Sequence, residues 1–333
     1  MDREKFVQAS VRIRNLEKKL LTKIQFERLY EAENLEEAIK HLNETAYSED
    51  LAKIDRAENF EIALSNSLNR TYSEVLKLSP VKELVDVLTY RFAFHNIKLA
   101  VKEKILQEDF EHIYSKVHYE DLPKLKKQFE TEKGEKGTWY EDTVIQAYKV
   151  FEDTKDPEKI EFFVDKRYFE KVLEISKKLE LDLVEEYFRA MIDFVNIRTF
   201  IRCKRQEQDI SVLKEAFIQG GYIDIDDIST YFYKEIQDLV NAYRNTKIGK
   251  SLFLGLKGYN ETGRLLLFEK HMENYLTNLL KERVKRMSYG PEIIFAYVYA
   301  KKIEIKNLRI ALVGRANGLS PDFIKERLRE TYV

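Results

Sequence analysis

Three short triplets constrain the fold of this chain more than any other feature: Asn96-Ile97-Lys98, Asn196-Ile197-Arg198 and Asn307-Leu308-Arg309. They lie 100 and 111 residues apart in a chain of 333. Each closes an apolar, aromatic-rich run, and each is followed, eight positions after the Asn, by a further base: Lys104, Lys204 and Arg315. Aligned on the Asn, position −4 holds Phe92, Ile192 and Ile303, and position +1 holds Ile97, Ile197 and Leu308. Position +4 holds Ala100, Phe200 and Ala311, and position +5 holds Val101, Ile201 and Leu312. Residues three and four apart share a helix face. The Asn is therefore expected on an apolar stripe in all three copies, with the bases at +2 and +8 away from it. Asn, apolar, base is a common tripeptide, but four matching apolar columns make coincidence a poor account. A period near 100 is too long for the common solenoid repeats. The pattern predicts three similar helical-bundle domains, at 1–118, 119–221 and 222–333, in a pseudo-threefold arrangement.

An Asn on an apolar stripe costs free energy unless its amide is hydrogen-bonded. Asn96, Asn196 and Asn307 are accordingly read as a structural motif, each amide bonded to a group of a neighbouring helix. The bases read differently. A repeated basic edge is most often a solvated face, but in a pseudo-threefold protein it can also line one shared cavity for an acidic partner.

The chain as a whole reads as all-α. Charged residues reach 35%, and there are only 11 Gly and 5 Pro to interrupt helices. A first helix is expected over about 4–22 and a long one from Phe60 to Leu78. Pro80 is expected to open the next helix, Gly290-Pro291 the one that carries the third triplet. Two glycines in a charged run over 130–139 mark a loop, and Gly249, Gly255, Gly258 and Gly263 mark a glycine-bearing stretch.

Lys and Arg number 57 against 58 Asp and Glu, a net charge of −1. That balance argues against nucleic acid as the main partner. Cys203 is the only cysteine, which fits a reducing compartment. No stretch approaches the roughly 20 apolar residues of a membrane span, and the charged start Met1-Asp2-Arg3-Glu4-Lys5 is not an apolar leader.

The chemical motifs are weak. Gly249-Lys250-Ser251 resembles the end of a phosphate-binding loop, but position 244 is Arg where that loop needs Gly. Asp224, Asp226 and Asp227 fit the Mg²⁺-binding acids of an all-helical lyase or cyclase, yet they fit a helix cap and acidic first turn better. No histidine pair among His41, His95, His112, His118 and His271 has metal-ligand spacing, and no nucleophile motif is present. The chain is thus expected to be non-catalytic, with no cofactor and no metal. Clusters such as Phe295-Ala296-Tyr297-Val298-Tyr299 are read as core.

Longer stretches carry a family resemblance. Tyr299-Ala300-Lys301-Lys302-Ile303-Glu304-Ile305-Lys306-Asn307-Leu308-Arg309-Ile310, Gly314-Arg315-Ala316-Asn317-Gly318-Leu319 and Glu326-Arg327-Leu328-Arg329-Glu330-Thr331-Tyr332-Val333 resemble the C-terminal signature of the C subunit of A/V-type rotary ATPases. This is the counterpart of the d subunit of eukaryotic V-ATPases. Phe163-Val164-Asp165-Lys166-Arg167-Tyr168-Phe169, Asp193-Phe194-Val195-Asn196-Ile197-Arg198, Gly220-Gly221-Tyr222-Ile223 and the opening Ala9-Ser10-Val11-Arg12-Ile13-Arg14-Asn15-Leu16-Glu17 agree with it. Where the family often has Gly-Lys, this chain has Gly314-Arg315, which keeps the charge.

The resemblance implies a funnel of three all-helical domains and a central-stalk component that does no chemistry. Its interior would take the foot of the rotor shaft and its other face would sit on the membrane proteolipid ring. One copy per complex, monomeric when alone, cytoplasmic and peripheral to the membrane, is the corresponding expectation. Lys98, Lys104, Arg198, Arg202, Lys204, Arg309 and Arg315 are then candidates for a basic funnel lining. A helical adaptor of some other complex is the remaining alternative to this reading and to the lyase.

Overall fold

The computed structural model describes residues 1–117, 126 and 139–333. The expected domain boundary at 118/119 and the glycine-bearing run before Trp139 lie outside the described residues, as does His118. Sixteen α-helices and three short 3-10 turns make up the described chain, with no strand among the described residues. The first helices are α1 (Val7–Glu17), α2 (Lys23–Glu31), α3 (Leu35–Asn43), α4 (Ser48–Leu51), α5 (Phe60–Leu78) and α6 (Lys82–Leu106). Then come α7 (Trp139–Thr154), α8 (Pro157–Lys178), α9 (Asp182–Arg205), α10 (Ile210–Ala216) and α11 (Ile225–Ser229). The last are α12 (Ile236–Tyr243), α13 (Gly249–Thr262), α14 (Leu266–Val284), α15 (Pro291–Ala316) and α16 (Pro321–Arg327).

The chain forms two compact units. One joins Met1–Val85 to Val240–Val333, and the other is Asp86–Leu239. In the first unit α15 is the central element. Residues 291–301 are buried without a gap, as expected for a helix that is apolar all round. Its later turns, through Ile305, Leu308, Ala311 and Leu312, share a core with Phe26 and Leu29 of α2, Ala38 and Leu42 of α3, and Leu64 of α5. In the second unit Phe94, Ile97 and Val101 of α6 pack with Val144 and Ala147 of α7 and Ile160 and Val164 of α8. Phe94 stacks on Trp139 at 5.4 Å, and Tyr168 meets Phe94 edge-on at 5.5 Å.

Local chemistry sets the helix ends. Thr22 and Gln25 form a capping box at α2, with the Gln25 side chain accepting from the Thr22 N–H at 2.9 Å. Asp156 caps α8 ahead of Pro157, and Pro291 occupies the first turn of α15. Three expectations need correction. The first helix stops at Glu17 rather than near 22, because the Leu21 N–H is taken by the Glu304 carboxylate. Pro80 precedes α6 by two residues instead of opening it. The glycine-bearing stretch is itself helix α13.

Its glycines serve close packing. A Cβ on Gly255 would stand 2.9 Å from the Phe268 Cα, and one on Gly258 would stand 2.6 Å from Leu267 Cδ1. The α13–α14 hairpin closes at this distance only without side chains there. Gly255→Ala gains about 1 kcal/mol of helix propensity but forces backbone apart, at about 1–3 kcal/mol. The expected net is a loss of about 1 kcal/mol, read as a lower urea midpoint. A midpoint at or above that of the parent chain would show that the hairpin spreads freely.

Candidate functional site

The three Asn side chains make the same pair of bonds. Asn96 Oδ1 accepts from the Ser115 N–H at 2.9 Å, and its Nδ2 donates to the Ser115 carbonyl at 3.1 Å. Asn196 does this to Ile218 at 2.9 and 2.8 Å, and Asn307 to Arg329 at 2.8 and 2.9 Å. In each copy the clasped residue stands two positions beyond a short helix: the 3-10 turn Glu111–Ile113, α10 and α16. The partner is thus one non-helical residue, not a neighbouring helix. A residue just past a helix end has an N–H and a C=O with no helical partner. A primary amide carries one acceptor and a donor group side by side, so it satisfies both.

Two further columns of the repeat escape a reading of the apolar positions alone. At +11 each long helix ends in a left-handed residue: Gln107 at φ 54°, Glu207 at φ 53° and Gly318 at φ 63°. The Gln208 N–H returns to the Cys203 carbonyl and the Leu319 N–H to the Gly314 carbonyl, as in a Schellman ending. At +13 stands a cap: Asp109 accepts from the Glu111 N–H, Asp209 from Ser211 and Ser320 from Phe323. The Asp, Asp, Ser column is the signal in the sequence that would have revealed it.

Position −3 adds a buried carboxylate in two copies. Asp193 Oδ1 accepts from the N–H groups of Tyr222 and Ile223 at 2.9 and 3.0 Å. Glu304 accepts from the Leu21 N–H, from the Tyr47 hydroxyl at 2.7 Å and from Lys301 Nζ at 2.8 Å. The first copy has Ala93 there.

The candidate bases do not form one set. Lys98 bonds Glu161 at 2.6 Å and Asp165 at 2.7 Å, both on α8. Burial pulls its pKa down, but the two carboxylates outweigh that and hold it above the ordinary lysine value. Arg309 makes a two-pronged pair with Glu61 of α5 at 2.6 and 2.9 Å. Lys204 donates to the carbonyls of Phe232 and Lys234 at 2.5 and 2.6 Å. Arg315 is buried and donates to the Ala32 carbonyl, at the end of α2, at 2.8 Å. Its burial departs from the expectation that the +8 base faces away. Eight residues turn a helix by about 80° beyond two full turns, which leaves +8 beside the apolar stripe. Arg198 is half-buried, whereas Lys104 and Arg202 are exposed.

Two of these pairs follow one rule. Glu61 and Glu161 each stand 35 residues before the Asn of their own copy. Lys98 of the first copy therefore reaches the acid of the second, and Arg309 of the third reaches the equivalent acid of the first.

The remaining motifs have local explanations. Asp224 caps α11 by accepting from the Asp226 N–H at 2.9 Å. A Cβ on Gly249 would stand 2.3 Å from the Arg244 carbonyl, so this glycine answers a tight turn. Cys203 is buried. Phe295, Tyr297 and Tyr299 are core, and among the described residues no group of three or more His, Cys, Asp or Glu is placed to hold a metal ion.

Known proteins resemble the chain over nearly its whole length. The C subunit of a V-type sodium ATPase of Enterococcus hirae is 24% identical over 322 residues, 96% of this chain and 97% of the relative. The C subunit of an A-type ATP synthase of Methanocaldococcus jannaschii is 21% identical, covering 98% of this chain and 87% of the relative. Its namesake in Thermococcus gammatolerans is 28% identical, covering 96% and 89%. Residues 9–327 match the ATP synthase (C/AC39) subunit family. With nearly all of its length matched, the chain belongs to that family.

Proposed function

We propose that the chain is the socket of a V/A-type rotary motor, receiving the foot of the rotor shaft and seating it on the membrane proteolipid ring. Family membership makes it the C subunit of an ion-transporting ATPase complex, non-catalytic in itself. No helix among the described residues is long and apolar enough to cross a membrane. Attachment to the ring is therefore proposed to be peripheral, on the cytoplasmic side, with one copy per motor.

The observation that carries the socket reading is the rule relating Lys98 to Glu161 and Arg309 to Glu61. A base of one copy meeting an acid of another copy at the same register is a contact that packed, equivalent repeats make, and it supports the reading of the chain as a repeat scaffold. A funnel of pseudo-threefold form, as the family resemblance implies, is the shape proposed with it. Polar, charged walls suit a grip on a separate shaft better than an apolar, core-like patch. Of the seven candidate bases, Lys104, Arg202 and Arg309 have the exposure to meet a partner. Lys98, Lys204 and Arg315 are engaged within the chain and contribute mainly to its shape.

The test is capture of the purified shaft subunits by the chain. Arg202→Glu with Arg309→Glu, made in a Glu61→Arg background to keep the local pair, is expected to weaken capture about tenfold, that is, by about 1.4 kcal/mol. The loss should be larger at low salt, where charge steering acts over a longer range. Capture equal to that of the parent chain at all salt concentrations would remove the basic lining from the proposal. Failure of the parent chain to co-purify with the other motor subunits would remove the socket itself.

A further inference from the structure

The turn 217–223, which follows α10, is held by one face of α9. Arg189, Asp193 and Asn196 lie four and three residues apart, so they point the same way. Arg189 reaches the carbonyls of Gly220 and Gly221 at 3.4 and 3.5 Å. Asp193 takes the N–H groups of Tyr222 and Ile223, and Asn196 takes both backbone groups of Ile218. Asp193 is the one carboxylic acid among the three. The turn is also shaped around that carboxyl group. Gly220 has φ 101°, and a Cβ on Gly221 would stand 2.2 Å from Asp193 Oδ1. Asp193 is 0% exposed, and its Oδ2 is buried without a hydrogen-bond partner.

We propose that Asp193 is a proton-operated latch for this turn: protonated, it holds 217–223 closed against α9, and ionised, it lets the turn loosen. An ionised carboxylate with one oxygen sealed from water and unbonded is costly. The same group becomes hydrated when the turn lifts. Ionisation therefore favours the open turn, even though the two N–H bonds to Oδ1 partly offset the cost. The groups around Asp193 compensate its charge only in part. Arg189, on its own helix, is the charged group whose field reaches it, and that guanidinium is already paired with Glu185 at 2.8 Å. The turn presents backbone and the Tyr222 phenol, whose ring lies 5.7 Å from the Arg189 guanidinium. From α8 it is Leu173 that packs on the same turn.

Burial, opposed by the two N–H bonds and by Arg189, pushes the Asp193 carboxyl from 3.8 up to about 6. The sign follows. Lifting the turn restores the ordinary value, so the closed state has its full advantage below 3.8 and loses it as pH rises to about 6. Above that the closed turn is weaker by about a hundredfold in its opening equilibrium, the equivalent of about two pKa units. The latch thus works across mild acidification from neutral pH.

Amide hydrogen exchange at Tyr222 and Ile223, corrected for the intrinsic pH dependence of exchange, tests the latch on the intact chain. Protection of both amides should fall by about tenfold to a hundredfold between about pH 4 and pH 7. Asp193→Asn, which keeps an acceptor for both N–H groups, should leave protection flat across that range. The Ser115 amide, clasped by the neutral side chain of Asn96, should show no such step. Carboxyl NMR of Asp193 in the parent chain adds a reading that needs no variant, with a midpoint near 6 expected. A midpoint at or below the ordinary 3.8, or protection at 222 and 223 that is flat or rises with pH, would overturn the proposal.

Discussion

Asn196→Ala is expected to cost about 3–4 kcal/mol of stability. The side chain makes two hydrogen bonds to Ile218, which is only 4% exposed. Alanine leaves a buried N–H and a buried C=O without partners, and each such group costs about 1–3 kcal/mol. The void left by the amide adds to that. Asn307→Ala should fall in the same range, because Arg329 is 5% exposed and its N–H and carbonyl are held the same way. The first copy differs. Ser115 is only partly buried, so water replaces much of what Asn96 supplies, and Asn96→Ala should cost about 1 kcal/mol. Denaturation midpoints of the three variants check the ranking. Three equal losses would show that the clasp acts through something other than the burial of its partner. Asn196→Asp separates the two bonds. It keeps the acceptor for the Ile218 N–H but points a second oxygen at the Ile218 carbonyl, so it should be at least as damaging as alanine at neutral pH.

The triplets were legible because their periodicity is a property of the helix that carries them. Four apolar columns around Asn96, Asn196 and Asn307 define a stripe, and a stripe defines which face is buried. What the amides hold was not legible. The clasped residues Ser115, Ile218 and Arg329 share no chemistry, since only their backbones are used. A backbone partner leaves no mark in the sequence at its own position. The bases were separated poorly for a related reason. Whether Arg315 meets water or the end of α2 depends on where Ala32 falls, and that contact spans 283 residues. Likewise the glycines of α13 read as punctuation, when their role is set by Phe268 and Leu267 on the facing helix. Local signals, the caps at Thr22, Asn34 and Asp156, were all present in the chain and are all used.

The second large effect is expected at Glu304. Three buried donors converge on its carboxylate: the Leu21 N–H, the Tyr47 hydroxyl and the Lys301 ammonium. Lys301 also lies over the Tyr47 ring, 4.1 Å from its centre, and both residues are almost wholly buried. Burial first, and then the negative charge of Glu304, raise the Tyr47 phenol well above its ordinary pKa, so it stays a donor. Removing one partner of a buried ion pair leaves an uncompensated charge and costs about 3–5 kcal/mol. Leu21 and Tyr47 bond different oxygens of the carboxylate, so Glu304→Gln keeps an acceptor for only one of them and also strands the Lys301 ammonium, and a loss of about 3 kcal/mol or more is expected. Lys301→Met leaves a carboxylate still held by two donors, and should cost about 2 kcal/mol. The double variant removes both charges and keeps the neutral acceptor. It should therefore lose less than Glu304→Gln alone, a coupling of about 2 kcal/mol or more in a double-mutant cycle. Additive losses would mean that Lys301 and Glu304 do not compensate one another. The start of α2 would then be held by the Leu21 and Tyr47 bonds alone.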